Sequence, residues 1–351
     1  MRAGRTERIR TKRESFGAAD YLLFAGVMAV IFFICVGVGS VNVPLGQTVE
    51  VLWNALAGHP QPEGTTVPII LSSRLPRVIC VAFVGASLSI GGAAMQGLLK
   101  NPLADGTTLG VSSGASLGAV LAMWLGITIP GLPFAGTMVM AILFAFLSLV
   151  IILTLAYRLD YSLSTNTIIL LGIIYTMFMS SVVSLITSFA GERVHNIVFW
   201  LMGSLAGSTW PMAAALAVMA LVCGGVLLCC TRELNAFAIG EDNARHIGVN
   251  VRRVRILVLI TVSALIGVCV AASGMIGFVG LVTPHMVRMI VGPNHKRLLP
   301  GTLFGGASFL MLADLLARTV LSPRELPIGV VTSLVGAVMF LVIFFRMRKG
   351  R

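Results

Sequence analysis

Long apolar runs separated by short polar turns repeat along nearly the whole chain. Tyr21–Val41 is the first, followed by Arg77–Leu99, Leu109–Ile127, Gly136–Tyr157 and Asn166–Phe189. Pro211–Cys230, Arg255–Met275, Gly277–Val291, Gly301–Leu321 and Ile328–Phe345 complete the series. A helix needs about 20 apolar residues to cross the hydrocarbon core of a bilayer. The pattern therefore predicts an all-α, polytopic integral membrane protein of ten transmembrane helices, a single bundle over residues 21–346 with short basic tails at 1–20 and 347–351. The stretch Val194–Thr209 departs from this rhythm. It is apolar but broken by Gly203 and Gly207, with Trp200 and Trp210 near its ends, and it reads as a half-buried surface helix. Asn42–Ser73, rich in Pro, Gly and polar residues, reads as a loop, and Lys100–Thr108 as a tight turn.

Within the third run, Gly110, Gly114, Gly118, Ala122 and Gly126 place a small residue at every fourth position. Such a smooth stripe lets backbones approach closely, either inside the bundle or at a dimer seam. Ser89, Ala93 and Gly97 make a shorter stripe in the second run.

The segment Thr231–Arg255 is a charged island between two spanning runs, and it has structure of its own. Glu233–Gly240 reads as a short helix with Leu234, Phe237 and Ala238 on one face. A second helix opens on Glu241 and Asp242, runs through Ala244 and Ile247, carries Arg245 and His246 near its end and stops at Gly248. Acids at the start and bases at the end suit the helix dipole, and glycine supplies the left-handed cap. Two capped helices are more than a connector requires, and they point to docking.

Composition agrees with the pattern. Charged residues make up 11% of the chain against about 25% in soluble domains, and mean hydropathy is +0.97. A net charge of +12 would suit nucleic acid, but its placement does not. Six basic residues, Arg2 to Arg13, precede the first run, and four follow the last. With ten spans both termini and the island are cytoplasmic, and all but five of the 25 Lys and Arg fall on that side, as the positive-inside rule requires. The exceptions are Arg74, Arg77, Arg193, Arg318 and Arg324. They are either snorkelling anchors or a cationic face for an acidic partner. The first run is longer than a signal peptide's apolar region and reads as an uncleaved span.

Catalytic chemistry has little footing. None of the four lysines follows a phosphate-binding glycine loop, the five histidines form no metal-ligand spacing, and no catalytic set is found. The six cysteines lie in apolar runs and read as small core residues, and the 17 methionines as apolar filler. His285, beside Pro284, reads as structural. Asp314 and Arg318 lie four apart on one helix and can pair, for structure or for a pathway.

Eight segments, in order, resemble the FecCD-type permease subunits of ATP-binding-cassette importers for iron–siderophore complexes, haem and cobalamin. They are RLPR (Arg74–Arg77), Met95–Ala104, Leu109–Ala119, Trp200–Leu205, Gly240–Val249, Ser273–Arg288, Ala313–Arg318 and Glu325–Gly336. The resemblance implies a ten-helix subunit of the bacterial cytoplasmic (inner) membrane, in contact with lipid and pairing with a second permease subunit, an identical copy. The same resemblance equally allows a different permease chain as that second subunit. It also implies two separate ATPase subunits below and an extracytoplasmic binding protein above, with no cofactor or metal of its own. Glu241, Ala244 and Gly248 match the family's ATPase-coupling positions. Arg74, Arg77 and Arg318 match its outer docking arginines. Asn101, Leu103, Ser164, Thr165 and Asn166 match its cytoplasmic gate. The cargo it implies is an iron chelate, with haem or cobalamin as alternatives. This chain departs from the family at Gly106 and Val338, where proline is common. A secondary transporter or channel is the rival class, but such proteins place ionisable residues at the membrane midplane, and Asp314 is almost the only acidic candidate.

Overall fold

The computed structural model describes residues 16–349 except 40, 42, 130–134 and 162; the basic residues Arg2 to Arg13 and Arg351 lie outside that set. In order come α1 (Ala18–Gly37), α2 (Leu45–Ala57), the single turn α3 (Thr66–Pro68), α4 (Leu75–Leu99), α5 (Val111–Leu125), α6 (Ala135–Leu159) and α7 (Thr165–Phe189). Then follow α8 (Val194–Leu201), α9 (Trp210–Cys229), α10 (Thr231–Ile239), α11 (Glu241–His246), α12 (Val251–Ser273), α13 (Val279–Val291), α14 (His295–Thr319) and α15 (Ile328–Lys349).

Each apolar run of the sequence is helical. Among the described residues, seven stretches are long and apolar enough to cross a membrane: α1, Thr66–Leu99, α6, α7, α9, α12 and α14. Val111–Leu125, Val279–Val291 and Ile328–Ile343 are shorter apolar helices.

Four boundaries differ from the sequence reading, each for a local reason. The expected loop Asn42–Ser73 contains α2, an amphipathic helix that ends at Gly58 in the left-handed region. It also contains the true start of the second span, because a π-helical turn, Ile69–Arg74, joins α3 to α4 without a break. Next, α14 begins at His295, six residues before the apolar run. The side chain of Asn294 accepts a hydrogen bond from the Lys296 N–H and caps it. Finally, α8 stops at Leu201, since Gly203 at φ +77° turns the chain and the Ser204 N–H donates to Ser273 O, 2.8 Å away.

The centre of the bundle is α4, buried along most of its length and packed on α9, α12, α13 and α14. Small residues set those distances. A Cβ on Gly92 would fall 2.6 Å from the Cα of Gly280 on α13, and one on Gly85 would fall 2.7 Å from Leu310 Cβ on α14. The stripe in α5 serves the same purpose. A Cβ on Gly114 would sit 2.7 Å from Ser148 Cβ, and one on Gly118 2.8 Å from Phe144 Cβ, both on α6. The stripe therefore packs inside the bundle. By contrast, α1 and α7 are mostly exposed. Five of the six cysteines are buried, but Cys229, at the last turn of α9, is exposed.

Candidate functional site

The island folds as two helices with one buried side. In α10, Leu234, Ala236 and Phe237 are buried against the bundle. Ala238, expected on the same face, is exposed, because the helix lies on α4 and α14 along one side only. Asn235 fixes that side. Its Oδ1 accepts from the His295 backbone N–H and ring Nδ1, both at 2.8 Å, and its Nδ2 donates to Asn294 Oδ1 at 2.9 Å. Gly240, at φ +135°, makes the corner into α11. Gly248, at φ +88°, closes α11: its N–H donates to Arg245 O and that of Val249 to Ala244 O, the paired bonds of a Schellman cap.

Of the three motif positions of the island, Glu241 and Ala244 turn inward, and Gly248 is exposed. The Glu241 carboxylate is paired with Arg255, whose guanidinium is fully buried at the first turn of α12. Ala244 is fully buried, and Gly248 is the cap. What faces outward is a different set. Ile239 and Ile247 are 70% and 68% exposed, and Asp242 and Arg245 pair loosely at 3.7 Å across the free surface.

Arg255 also donates to Leu163 O at 2.6 Å. Leu163 lies just before the turn singled out as a gate. There the Ser164 N–H donates to Asp160 Oδ2 at 3.0 Å, Ser164 Oγ meets Thr167 Oγ1 at 3.0 Å, and Thr165 and Asn166 open α7. In the other gate segment Asn101 Oδ1 accepts from the Leu103 N–H at 2.9 Å, and Leu103 is exposed. Helix α7 packs on the Gly106–Leu109 turn that follows. That segment is also not the simple turn beyond α4 that its sequence suggests. A Cβ on Gly280 would lie 2.9 Å from Leu88 O and 3.7 Å from Asp105 Cβ, which sets Asp105 beside Leu88, about three turns before the end of α4.

At the other end of α4 the three predicted docking arginines converge, and all are buried. Arg77 binds Asp314 at 2.9 Å and Glu325 at 2.8 Å. Arg318 pairs with the same Asp314 at 2.9 Å and donates to the carbonyls of Cys35 and Val38. Arg74 donates to those of Val36, Gly37 and Val41. An open cationic face is therefore not what the structure presents. The three guanidiniums are spent on closing the junction of α1, α4 and α14, where Glu325, with about a third of its side chain exposed, reaches the surface. A separate cavity of about 680 Å³ opens between the ends of α5 and α12 and helix α8, walled by Met123, Arg193, Asn196, Trp200, Ser204 and Ala272.

The FecCD transport family pattern matches residues 27–346, nearly the whole bundle. The chain belongs to the FecCD transport family. It is 41% identical over 347 residues to the uncharacterized ABC transporter permease protein YvrB of Bacillus subtilis, covering 98% of this chain and 97% of that one. It is 36% identical to the molybdate import system permease protein MolB of Haemophilus influenzae, covering 92% and 94%. It is also 36% identical to the hemin transport system permease protein HmuU of Yersinia pestis, covering 92% and 95%. Among solved structures, one described as a metal-chelate type ABC transporter in an inward-facing conformation superposes with a TM-score of 0.83 at 32% identity, over 94% of this chain and all of that one. This FecCD protein is thus a multi-pass membrane permease of an ATP-binding-cassette importer.

Sequence reasoning missed Arg255, Asn235 and Glu325. A signal existed for Arg255, a charge at the mouth of an otherwise apolar run. None existed for Asn235, whose partners lie 59 and 60 residues away.

Proposed function

We propose that this chain is the membrane subunit through which an importer moves a metal chelate, an iron–siderophore complex in the first place, across a bacterial cytoplasmic membrane. Its ten apolar helices each cross the bilayer, leaving both termini and the island in the cytoplasm. Its partners are a second copy of the chain, two ATPase subunits against the island and a soluble binding protein on the outer side.

The orientation of the island carries this reading. Its anchors, Leu234, Phe237, Glu241 and Ala244, are turned into the bundle, and two isoleucines with an Asp–Arg pair are turned out. A connector in water has no reason to expose Ile239 and Ile247 side by side with charge, whereas a docking face does. Glu241, Ala244 and Gly248 then shape the coupling element, and the exposed residues touch the ATPase.

A path is supported by α7. Asn166, Leu170, Met177, Ser181, Ser184 and Ser188 recur at helical spacing along its exposed side, from the gate turn to its far end. The last three serines turn their hydroxyls onto backbone carbonyls of the same helix, which leaves a smooth, weakly polar surface. Such a surface passes a bulky chelate without binding it tightly. Asn101 and Leu103 close the path from below together with the α7 turn. On the outer side Arg77 receives an acidic side chain of the binding protein in place of Glu325, while Arg74 and Arg318 brace the rim. ATP binding draws the two ATPases together, the islands follow, and the path alternates between outward and inward openings.

Reconstitution in proteoliposomes with the ATPase and binding protein tests this. ATP-dependent uptake of a ferric siderophore is expected, competed weakly by haemin, cobalamin and molybdate. Uptake by this subunit without the ATPase overturns the importer reading, and uptake of haemin, cobalamin or molybdate alone overturns the cargo.

A further inference from the structure

We infer that Arg255 is the positioning residue that carries movement of the island to the turn that opens α7, an inference that rests on the importer reading above. Arg255, the last residue of the charged island, lies in neither of its two helices nor in the turn before α7. It stands on α12, fully buried, and its guanidinium fork holds one partner on each: the Glu241 carboxylate on α11 and the Leu163 carbonyl before α7. The Phe237 ring lies 6.0 Å from its Cζ and covers it from the α10 side.

Burial makes these two links act as one. A guanidinium taken out of water is tolerated only while charge and hydrogen bonds compensate it, so parting from either partner leaves an exposed cost that motion of the whole unit avoids. Leu163 adds stiffness, since it sits at φ +54°, a conformation that a leucine holds only where its surroundings enforce it. Its far side is pinned too: Asp160 Oδ2 accepts from the Ser164 N–H and from Thr167 Oγ1. A displacement of Glu241 is therefore delivered to Ser164, Thr165 and Asn166 as a rigid shift. The tie of α10, Asn235 to Asn294 and His295, leads to α14 and not to this turn. Arg252, which donates to Tyr161 Oη at 3.1 Å, joins α12, not α11, to the same connection before α7.

The test is hydrogen–deuterium exchange on the complete permease–ATPase complex, comparing the nucleotide-free and vanadate-trapped states. It needs no identified cargo. In the natural protein, peptides covering residues 239–247 and 163–167 both change exchange with nucleotide. In Arg255→Gln the island peptide keeps its change, and that of the α7 turn shrinks by about 5-fold or more, the lower end of ordinary coupling factors. Arg255→Lys, which keeps the charge on Glu241 but not the fork, reduces the turn response as well. Should Arg255→Gln fail to assemble, Glu241→Gln breaks the same link from its more exposed end, with the same expectation. The proposal is overturned if the turn follows nucleotide in the variant as it does in the natural protein. It is also overturned if the island stops responding too, because Arg255 would then only hold the docking face. An island unresponsive in the natural protein itself overturns the importer reading instead.

Discussion

The two ends of the bundle each bury arginine, and they use it differently. At the rim, Arg74, Arg77 and Arg318 share Asp314, Glu325 and five backbone carbonyls, so every guanidinium is engaged by groups of the same junction. At the island, Arg255 holds the back of an element whose front is bare. The rim cluster seals three helix ends that would otherwise leave carbonyls and charges unpaired. The island cluster gives an exposed front a buried root. Burial of a charge does not by itself separate these roles; what lies on the opposite side of the element does.

The sharpest way to break the comparison is at Asp314, which is 1% exposed and bonded to both Arg77 and Arg318. Asp314→Asn removes the carboxylate that two buried guanidiniums share. The expected loss is about 3–5 kcal/mol, the range for leaving a buried charge uncompensated. Denaturation of the purified permease in mixed micelles reads it, and a loss below about 1 kcal/mol would mean that the rim is not sealed by this carboxylate. Arg255→Gln leaves Glu241 partly solvated, so its stability loss should be smaller than that of Asp314→Asn.

Much of this arrangement was legible in the chain, and the rest was hidden for definite reasons. Hydropathy marks the spans because lipid and core both select apolar residues. The cap at Gly248 was legible because positive φ favours glycine. The Asp314–Arg318 pair was legible because a helix brings residues four apart together. Arg77 with Asp314, 237 residues apart, was not, since only the packing of α4 on α14 joins them. Hydropathy also misplaced helix starts wherever polar caps begin a span, as Asn294 does for α14. The site residues drawn from resemblance name positions in the island, the rim and the α7 turn. The resemblance alone did not say which way each side chain faces: Glu241 and Ala244 turn in, and Asp242 and Ile247 turn out.

Glu325 tests the surface end of the rim. Its side chain is 32% exposed and makes one bond to Arg77, which keeps Asp314 as a second partner. Glu325→Gln should therefore cost about 1 kcal/mol or less, as partly solvated pairs do. If Glu325 stands where an acid of the binding protein later sits, the same variant tightens binding-protein association, measured by titration against the permease in nanodiscs. Unchanged association would remove Arg77 as the receiving residue and leave the rim purely structural.

The smallest effect on stability belongs to the front of the island, and it carries the most functional information. Ile247 is 68% exposed, and it takes part in the cap of α11 through its backbone N–H alone. Ile247→Ser should leave the melting of the isolated permease within about 0.5 kcal/mol of the natural protein, as surface substitutions do. Copurification of the ATPase should nevertheless fall sharply, because an apolar side chain at the centre of a docking face contributes through the area it buries. Ala238→Ser, also exposed but small, serves as the control that changes neither. A variant that melts early would place Ile247 in the fold, and one that retains the ATPase would place the docking face elsewhere. Only loss of association without loss of stability fits an island that is anchored from behind and free in front.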